Sequence, residues 1–149
     1  MISKILVPSD GSIIAQKAAN YAIYLAKQLK ASIVALSVVD ERSFTAPPVP
    51  ASETAMNAAE PITDFLREAA EAYVKAIKVL CDESGVESFI SIRMGHPVEE
   101  IAKEAKRSKV NLMVMGSHGR SALAATFLGS VSYGVIHNNK HIPILIVRG

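Results

Sequence analysis

Apolar residues follow two alternating rhythms along the chain. Ile5-Leu6-Val7 is a short aliphatic run ending at Pro8, and Ile33 to Val39 is a longer one broken only by Ser37. Short continuous runs of this kind are predicted to be strands buried on both faces, which favours a parallel sheet. Phe89-Ile90-Ser91-Ile92 alternates more and reads as an edge strand. Leu112-Met113-Val114-Met115 and Ile144-Leu145-Ile146-Val147 supply a fourth and a fifth strand. Between the runs the spacing changes to three and four. Ala15, Ala18, Ala22, Leu25 and Leu29 mark a helix with Ser12 as its N-cap. Ile62, Phe65, Ala69, Tyr73, Ala76 and Leu80 mark a long amphipathic helix that Gly85 closes in a left-handed conformation. Pro97 suits the first turn of a helix carrying Val98, Ile101 and Ala105, and Val131, Val135 and Ile136 sit on a final short helix.

Residues 41–60 break the pattern, because Ala46-Pro47-Pro48-Val49-Pro50 fits neither a helix interior nor a central strand. The stretch reads as a long loop, either a mobile surface segment or a recognition element. Elsewhere strand and helix alternate, which implies right-handed βαβ crossovers and an α/β fold with helices on both faces of a parallel sheet. No internal repeat or second domain is visible, so residues 1–149 are read as one domain.

Composition narrows the function classes. Net charge is only +2, aromatics are 5% and Trp is absent, so no basic surface or base-stacking platform argues for nucleic acid. No apolar run reaches the ~18 residues of a membrane span. Met1-Ile2-Ser3-Lys4-Ile5 lacks the apolar core of a secretory leader. The single cysteine, Cys81, cannot form an internal disulfide, and it lies in an apolar helical pattern. A reducing, cytoplasmic compartment and a buried, inert thiol are expected. His96, His118, His137 and His141 are not at metal-ligand spacing.

In parallel sheets ligands bind beyond the carboxyl ends of the strands, where the winding reverses. Pro8-Ser9-Asp10-Gly11-Ser12 follows the first strand, and Asp40 ends the second. Behind the fourth strand come Gly116-Ser117-His118-Gly119-Arg120 and then Gly129-Ser130-Val131-Ser132. Glycines let backbone N–H groups approach a ligand, and Ser130 opens a helix whose first N–H groups have no helical partner. Together they read as a phosphate cradle. A dinucleotide fingerprint is absent after the first strand, and Leu128-Gly129 replaces the Gly-Lys of a Walker loop.

Gly116-Ser117-His118-Gly119, nine residues, then Gly129-Ser130 resembles the G-x-x-G-x9-G-[S/T] motif of the ATP-binding branch of the universal stress protein family. The opening Ile5-Leu6-Val7-Pro8-Ser9-Asp10-Gly11-Ser12, the Gly95-His96-Pro97 turn and the closing Pro143-Ile144-Leu145-Ile146-Val147 extend the resemblance over residues 2 to 148. The resemblance implies a single-domain, doubly wound, Rossmann-like sheet of five parallel strands in the order 3-2-1-4-5. It implies that Asp10 meets the ribose or adenine and that Pro8, Val38 and Met115 line the adenine slot. Gly116, Gly119, Gly129, Ser130, Val131 and Ser132 would hold ribose and phosphates, with Arg120 beside them. The ligand would be ATP, ADP or AMP, with Mg²⁺ or Mn²⁺ carried mainly by phosphate oxygens. It also implies a homodimer through the apolar last strand, whose open edge invites pairing. The output would be a nucleotide-dependent regulatory or stress-response module acting on a protein partner. Two alternatives stand beside it: a slow ATP hydrolase, for which no general base is evident and Arg120 is the nearest cation, and a flavodoxin-like carrier of another cofactor.

Overall fold

In the computed structural model, which describes residues 1–40, 53–119 and 128–149, strand and helix alternate as the spacing predicts. The order is β1 (Lys4–Pro8), α1 (Ile13–Leu29), β2 (Ser32–Asp40), α2 (Glu53–Ser84), β3 (Ser88–Gly95), α3 (Pro97–Arg107), β4 (Leu112–Gly116), α4 (Ser130–Asn138) and β5 (Ile144–Val147). The strands form one parallel sheet in the order β3-β2-β1-β4-β5. Both the α/β class and the strand order agree with the expectation, and β3 stands at an edge.

The two faces of the sheet explain the continuous apolar runs. Successive strand residues point to opposite faces. Ile5, Val7, Ile33, Ala35, Leu112 and Val114 join α1 and α2 in one cluster, while Leu6, Val34, Leu36, Met113 and Met115 join α3 and α4 in another. Because both faces are covered, the central positions are apolar with the exception of the buried Ser37. Full burial of each Ile, Leu or Val contributes roughly 1.5–3 kcal/mol.

Local signals set the helix ends. The Ser12 hydroxyl accepts the Ala15 N–H at 3.2 Å and caps α1. Alanines 15, 18, 19, 22 and 26 form the buried stripe of that helix, so it lies close on the sheet. Gly85 takes φ +71° after α2. Pro97 opens α3, with Glu99 and Glu100 in its first turn and Lys106 and Arg107 in its last, the arrangement that the helix dipole favours.

Helix α2 departs from the sequence reading in two ways. It begins at Glu53 rather than near Ile62 and continues through Pro61, which has no N–H to bond the carbonyl four residues back. The remainder of the expected loop, 41–52, lies outside the described residues. The buried line is also different: Ala70, Val74, Ile77 and Cys81 face the core, while Ile62 is 50% and Phe65 68% exposed. The expected stripe is one residue out of step, a rotation of about 100°. α2 has apolar residues on both lines, so periodicity alone does not choose between them. Cys81 is buried, as expected, and burial pushes its thiol up from the ordinary range.

Glu104 is the charged group deepest in the described structure, with its side chain 4% exposed. It accepts from Arg93 Nε at 2.8 Å, Arg107 Nη1 at 2.9 Å and the Ser108 hydroxyl at 2.7 Å. The carboxylate thereby ties edge strand β3 to α3, at the end of the sheet farthest from β5.

Candidate functional site

The winding reverses between β1 and β4. The connections that follow β1 and β2 pass over one face, and those that follow β3 and β4 pass over the other. The carboxyl ends of the strands therefore part at this point and leave a crevice of about 450 Å³, within the roughly 300–1,000 Å³ of small-molecule sites. Pro8, Asp10, Val38, Met115, Gly116, Gly119, Gly129, Ser130, Val131 and Ser132 all line it. Arg120 lies outside the described residues.

The β1–α1 loop forms one wall. Its entry is pinned by the Ser9 N–H, which donates to the Leu36 carbonyl at 2.8 Å. The Gly11 N–H donates to the Ser9 hydroxyl at 3.2 Å, and the Ser12 N–H donates to Asp10 Oδ1 at 3.0 Å. This last bond is an Asx turn, which fixes the carboxylate relative to the backbone. The other carboxylate oxygen, Oδ2, lies over Gly119.

The β4–α4 loop forms the opposite wall, clasped to itself and to β5. The Ser117 N–H donates to the Val147 carbonyl at 2.9 Å, and the Gly129 N–H donates to the Ser117 carbonyl at 2.6 Å. The buried Ser132 hydroxyl donates to the Gly116 carbonyl at 2.8 Å. These bonds draw the start of α4 against the end of β4. α4 has no side-chain cap, and its ladder begins with the Tyr133 N–H on the Gly129 carbonyl. The N–H groups of Ser130, Val131 and Ser132 therefore lie ahead of the ladder, with the positive end of the helix dipole, at the crevice wall.

The glycines serve the protein's own packing as well as the crevice. A Cβ on Gly116 would stand 2.5 Å from Ile14 Cγ2, so this glycine lets the first turn of α1 rest on β4. A Cβ on Gly119 would collide with Asp10 Oδ2, and one on Gly129 would stand 3.0 Å from His118 Cα. Each of the three therefore allows a close approach: Gly116 to α1, Gly119 to the β1–α1 loop and Gly129 to its own loop. Room for a ligand is what those contacts leave.

Ala15, Leu36, Asp40, Pro97, Ile101 and His118 also line the crevice. Asp40 had a sequence signal as the residue that ends β2. Pro97 and Ile101 had none as ligand contacts. They arrive because the crossover from β3 to β4 must pass over β2 and β1, which brings the first turns of α3 beside the crevice. Leu36, Val38, Met115 and Ile101 make one part of the wall apolar, while the start of α4 makes another polar. His118 is at the crevice with its Nδ1 3.1 Å from the Ser117 hydroxyl.

A reversed winding, an apolar slot and an uncapped helix start at the same point define the class: a doubly wound α/β protein with a half-apolar, half-anion-seeking crevice at its switch point. Within that class the chain belongs to the universal stress protein family, whose model matches residues 1–148. It is 35% identical over 148 residues to universal stress protein MJ0531 of Methanocaldococcus jannaschii, covering 99% of this chain and 83% of the relative. The solved structure of protein MJ0577, from the same organism, superposes with a TM-score of 0.85 at 30% identity, over 100% of this chain and 97% of the other. A universal stress protein solved in complex with cAMP superposes with a TM-score of 0.58 at 26% identity, over 99% and 97%. Among the described residues no helix is long and apolar enough to cross a membrane.

Proposed function

We propose that the crevice binds an adenine nucleotide, ATP with ADP or AMP as its relatives, and that occupancy switches the chain as a cytoplasmic stress-response regulator. One observation carries the reading: the uncapped start of α4 faces the same crevice as the slot of Pro8, Leu36, Val38, Met115 and Ile101. A flat apolar base fits the slot, and phosphates fit the N–H groups of Ser130 to Ser132. Asp10, held by its Asx turn at the crevice, would meet the sugar or base. The structure solved with cAMP supports a nucleotide as the ligand type.

A divalent metal fits this donor set only as a passenger. Among the described residues, Asp10 and Asp40 are the carboxylates that line the crevice, and no group of three or more His, Cys, Asp or Glu suited to a metal is found. Mg²⁺ or Mn²⁺ would be held mainly by phosphate oxygens and water. Turnover is slow or absent in this reading. The open edge of β5 pairs with a second copy of the chain.

Mass spectrometry of ligand released from purified protein should find an adenine nucleotide. Added ATP at 100 times its Kd should stabilise the fold by about 2.7 kcal/mol, several degrees for a chain of this size. Tripolyphosphate at equal ionic strength should shift the melt less, because it cannot use the slot. The reading fails if no adenine nucleotide is released and ATP shifts the melt no more than tripolyphosphate. Phosphate release faster than about 1 s⁻¹ would make the chain an enzyme instead.

A further inference from the structure

Tyr73 belongs to the α2 line that sequence spacing assigns to the core, yet the core takes the neighbouring line of Val74 and Ile77. The half-buried Tyr73 ring lies instead against Gly11, in the middle of the crevice loop. A Cβ on Gly11 would stand 2.5 Å from Cδ1 and Cζ of that ring, so ring and glycine backbone are in direct contact. Gly11 is also left-handed, at φ +76°. It is the most permissive residue type in a conformation other residues rarely adopt, placed directly between Asp10 and the N-cap Ser12.

We infer that Tyr73 is a positioning residue for the ligand: its ring holds Gly11, and through Gly11 it holds Asp10 in the orientation that meets the sugar and base. A glycine next to a binding carboxylate is free to sample many backbone states when nothing covers it. Ordering it on binding then opposes affinity. The Tyr73 ring closes off one side of Gly11 before any ligand arrives, while the Ser9 and Ser12 contacts fix the other bonds of the loop. The contact that the ring makes with Gly11 is on the Asp10 wall. The start of α4, which takes the phosphates, is built from different contacts, those of Gly129, Ser117 and Ser132. Tyr73 therefore acts on ligands that carry a nucleoside and leaves the bare phosphate site unaffected.

This inference rests on the crevice being an adenine-nucleotide site, and the test separates the two. Binding of AMP, ATP and tripolyphosphate is measured by calorimetry for wild type, Tyr73→Phe, Tyr73→Ala and Tyr73→Leu, each with its ligand-free melting temperature. Tyr73→Ala should weaken AMP and ATP about tenfold, or about 1.4 kcal/mol, and leave tripolyphosphate unchanged. Tyr73→Phe, which keeps the ring face, should bind AMP and ATP as wild type does. Tyr73→Leu should behave like Tyr73→Ala, and it carries the test if the alanine variant does not fold. A wild type that binds no AMP or ATP overturns the site reading and this inference together. A wild type that binds them, with Tyr73→Ala or Tyr73→Leu equally tight, overturns the inference alone. An equal loss for AMP and tripolyphosphate also overturns it, because a general loss of structure would produce that result.

Discussion

Two demands meet on Gly119. Its backbone lines the crevice, and the space where a side chain would stand is taken by Asp10 Oδ2. Gly119→Ala must therefore displace the Asp10 carboxylate from its Asx turn or move the β4–α4 loop. Overpacking of this kind destabilises by roughly 1–3 kcal/mol. The collision is specific, so removing its partner should relieve it. In thermal or urea melts, Asp10→Ala with Gly119→Ala should be more stable than the sum of the single changes predicts, by about 1 kcal/mol. Strict additivity would show that the two residues do not meet. ATP-dependent stabilisation should stay low in the double variant, because the Asp10 contact is gone. The importance of Gly119 was legible in the sequence, where Gly116, Gly119, Gly129 and Ser130 stand in one recurring arrangement. Its reason was not, because Asp10 lies more than a hundred positions earlier and meets it only when β1 and β4 are neighbours.

Between elements, Glu104 shows how a buried charge can bind a helix to a strand. Burial alone pushes its carboxyl up, but hydrogen bonds from Ser108 and Arg93 and the charge of Arg93 outweigh that effect and hold it below the usual carboxylate range. A depressed folded pKa means that the stability is present above the unfolded value, about 4.3 for Glu. It is lost as pH falls through the lower folded value. The acid limb of the wild-type stability curve should therefore steepen below about pH 4.3. Glu104→Gln should lose about 2 kcal/mol at neutral pH and show a shallower acid limb. An unchanged melting temperature and an unchanged acid limb would mean that the network contributes nothing. The periodicity of α3 places Ile101 and Ala105 on its apolar face, but it does not show that Glu104 turns inward. That depends on Arg93 at the edge of the sheet. The stripe of α2 presents the same difficulty: two apolar lines compete, and Ala70, Val74, Ile77 and Cys81 win because small and branched side chains fit against α1 and the sheet.

At the scale of the whole molecule, β5 leaves an edge. Met113 and Ser117 donate to the carbonyls of Pro143 and Val147, so odd-numbered residues of β5 turn their backbone groups to β4. The N–H and C=O groups of Ile144 and Ile146 then face outward. Their side chains pack on the α3–α4 cluster, so lysine at either position would attack the core as well as the edge. Ile146→Pro is the cleaner change, because it removes an outward donor and spares the ladder with β4. Light scattering should find the wild type dimeric and Ile146→Pro monomeric. A monomeric wild type would exclude the β5 dimer, and a dimer that survives Ile146→Pro would assign the interface elsewhere. The exposed Phe89 and Ile90 on the opposite edge, β3, would then be the next candidates.

Sequence by itself determined the features that repeat or punctuate along the chain. Strands buried on both faces show as unbroken apolar runs such as Ile5-Leu6-Val7, and helix ends show in Ser12, Gly85 and Pro97. The β4–α4 loop shows in glycines placed directly behind β4. Each of these follows from the backbone geometry of a few consecutive residues, so each is written locally. Only the tertiary structure decided which line of α2 is buried, that Gly119 makes room for Asp10, that Tyr73 covers Gly11, and that Pro97 and Ile101 reach the crevice. Those contacts join residues that are neighbours only because the winding reverses between β1 and β4, and steric fit and burial in the assembled sheet select among patterns that the chain permits equally.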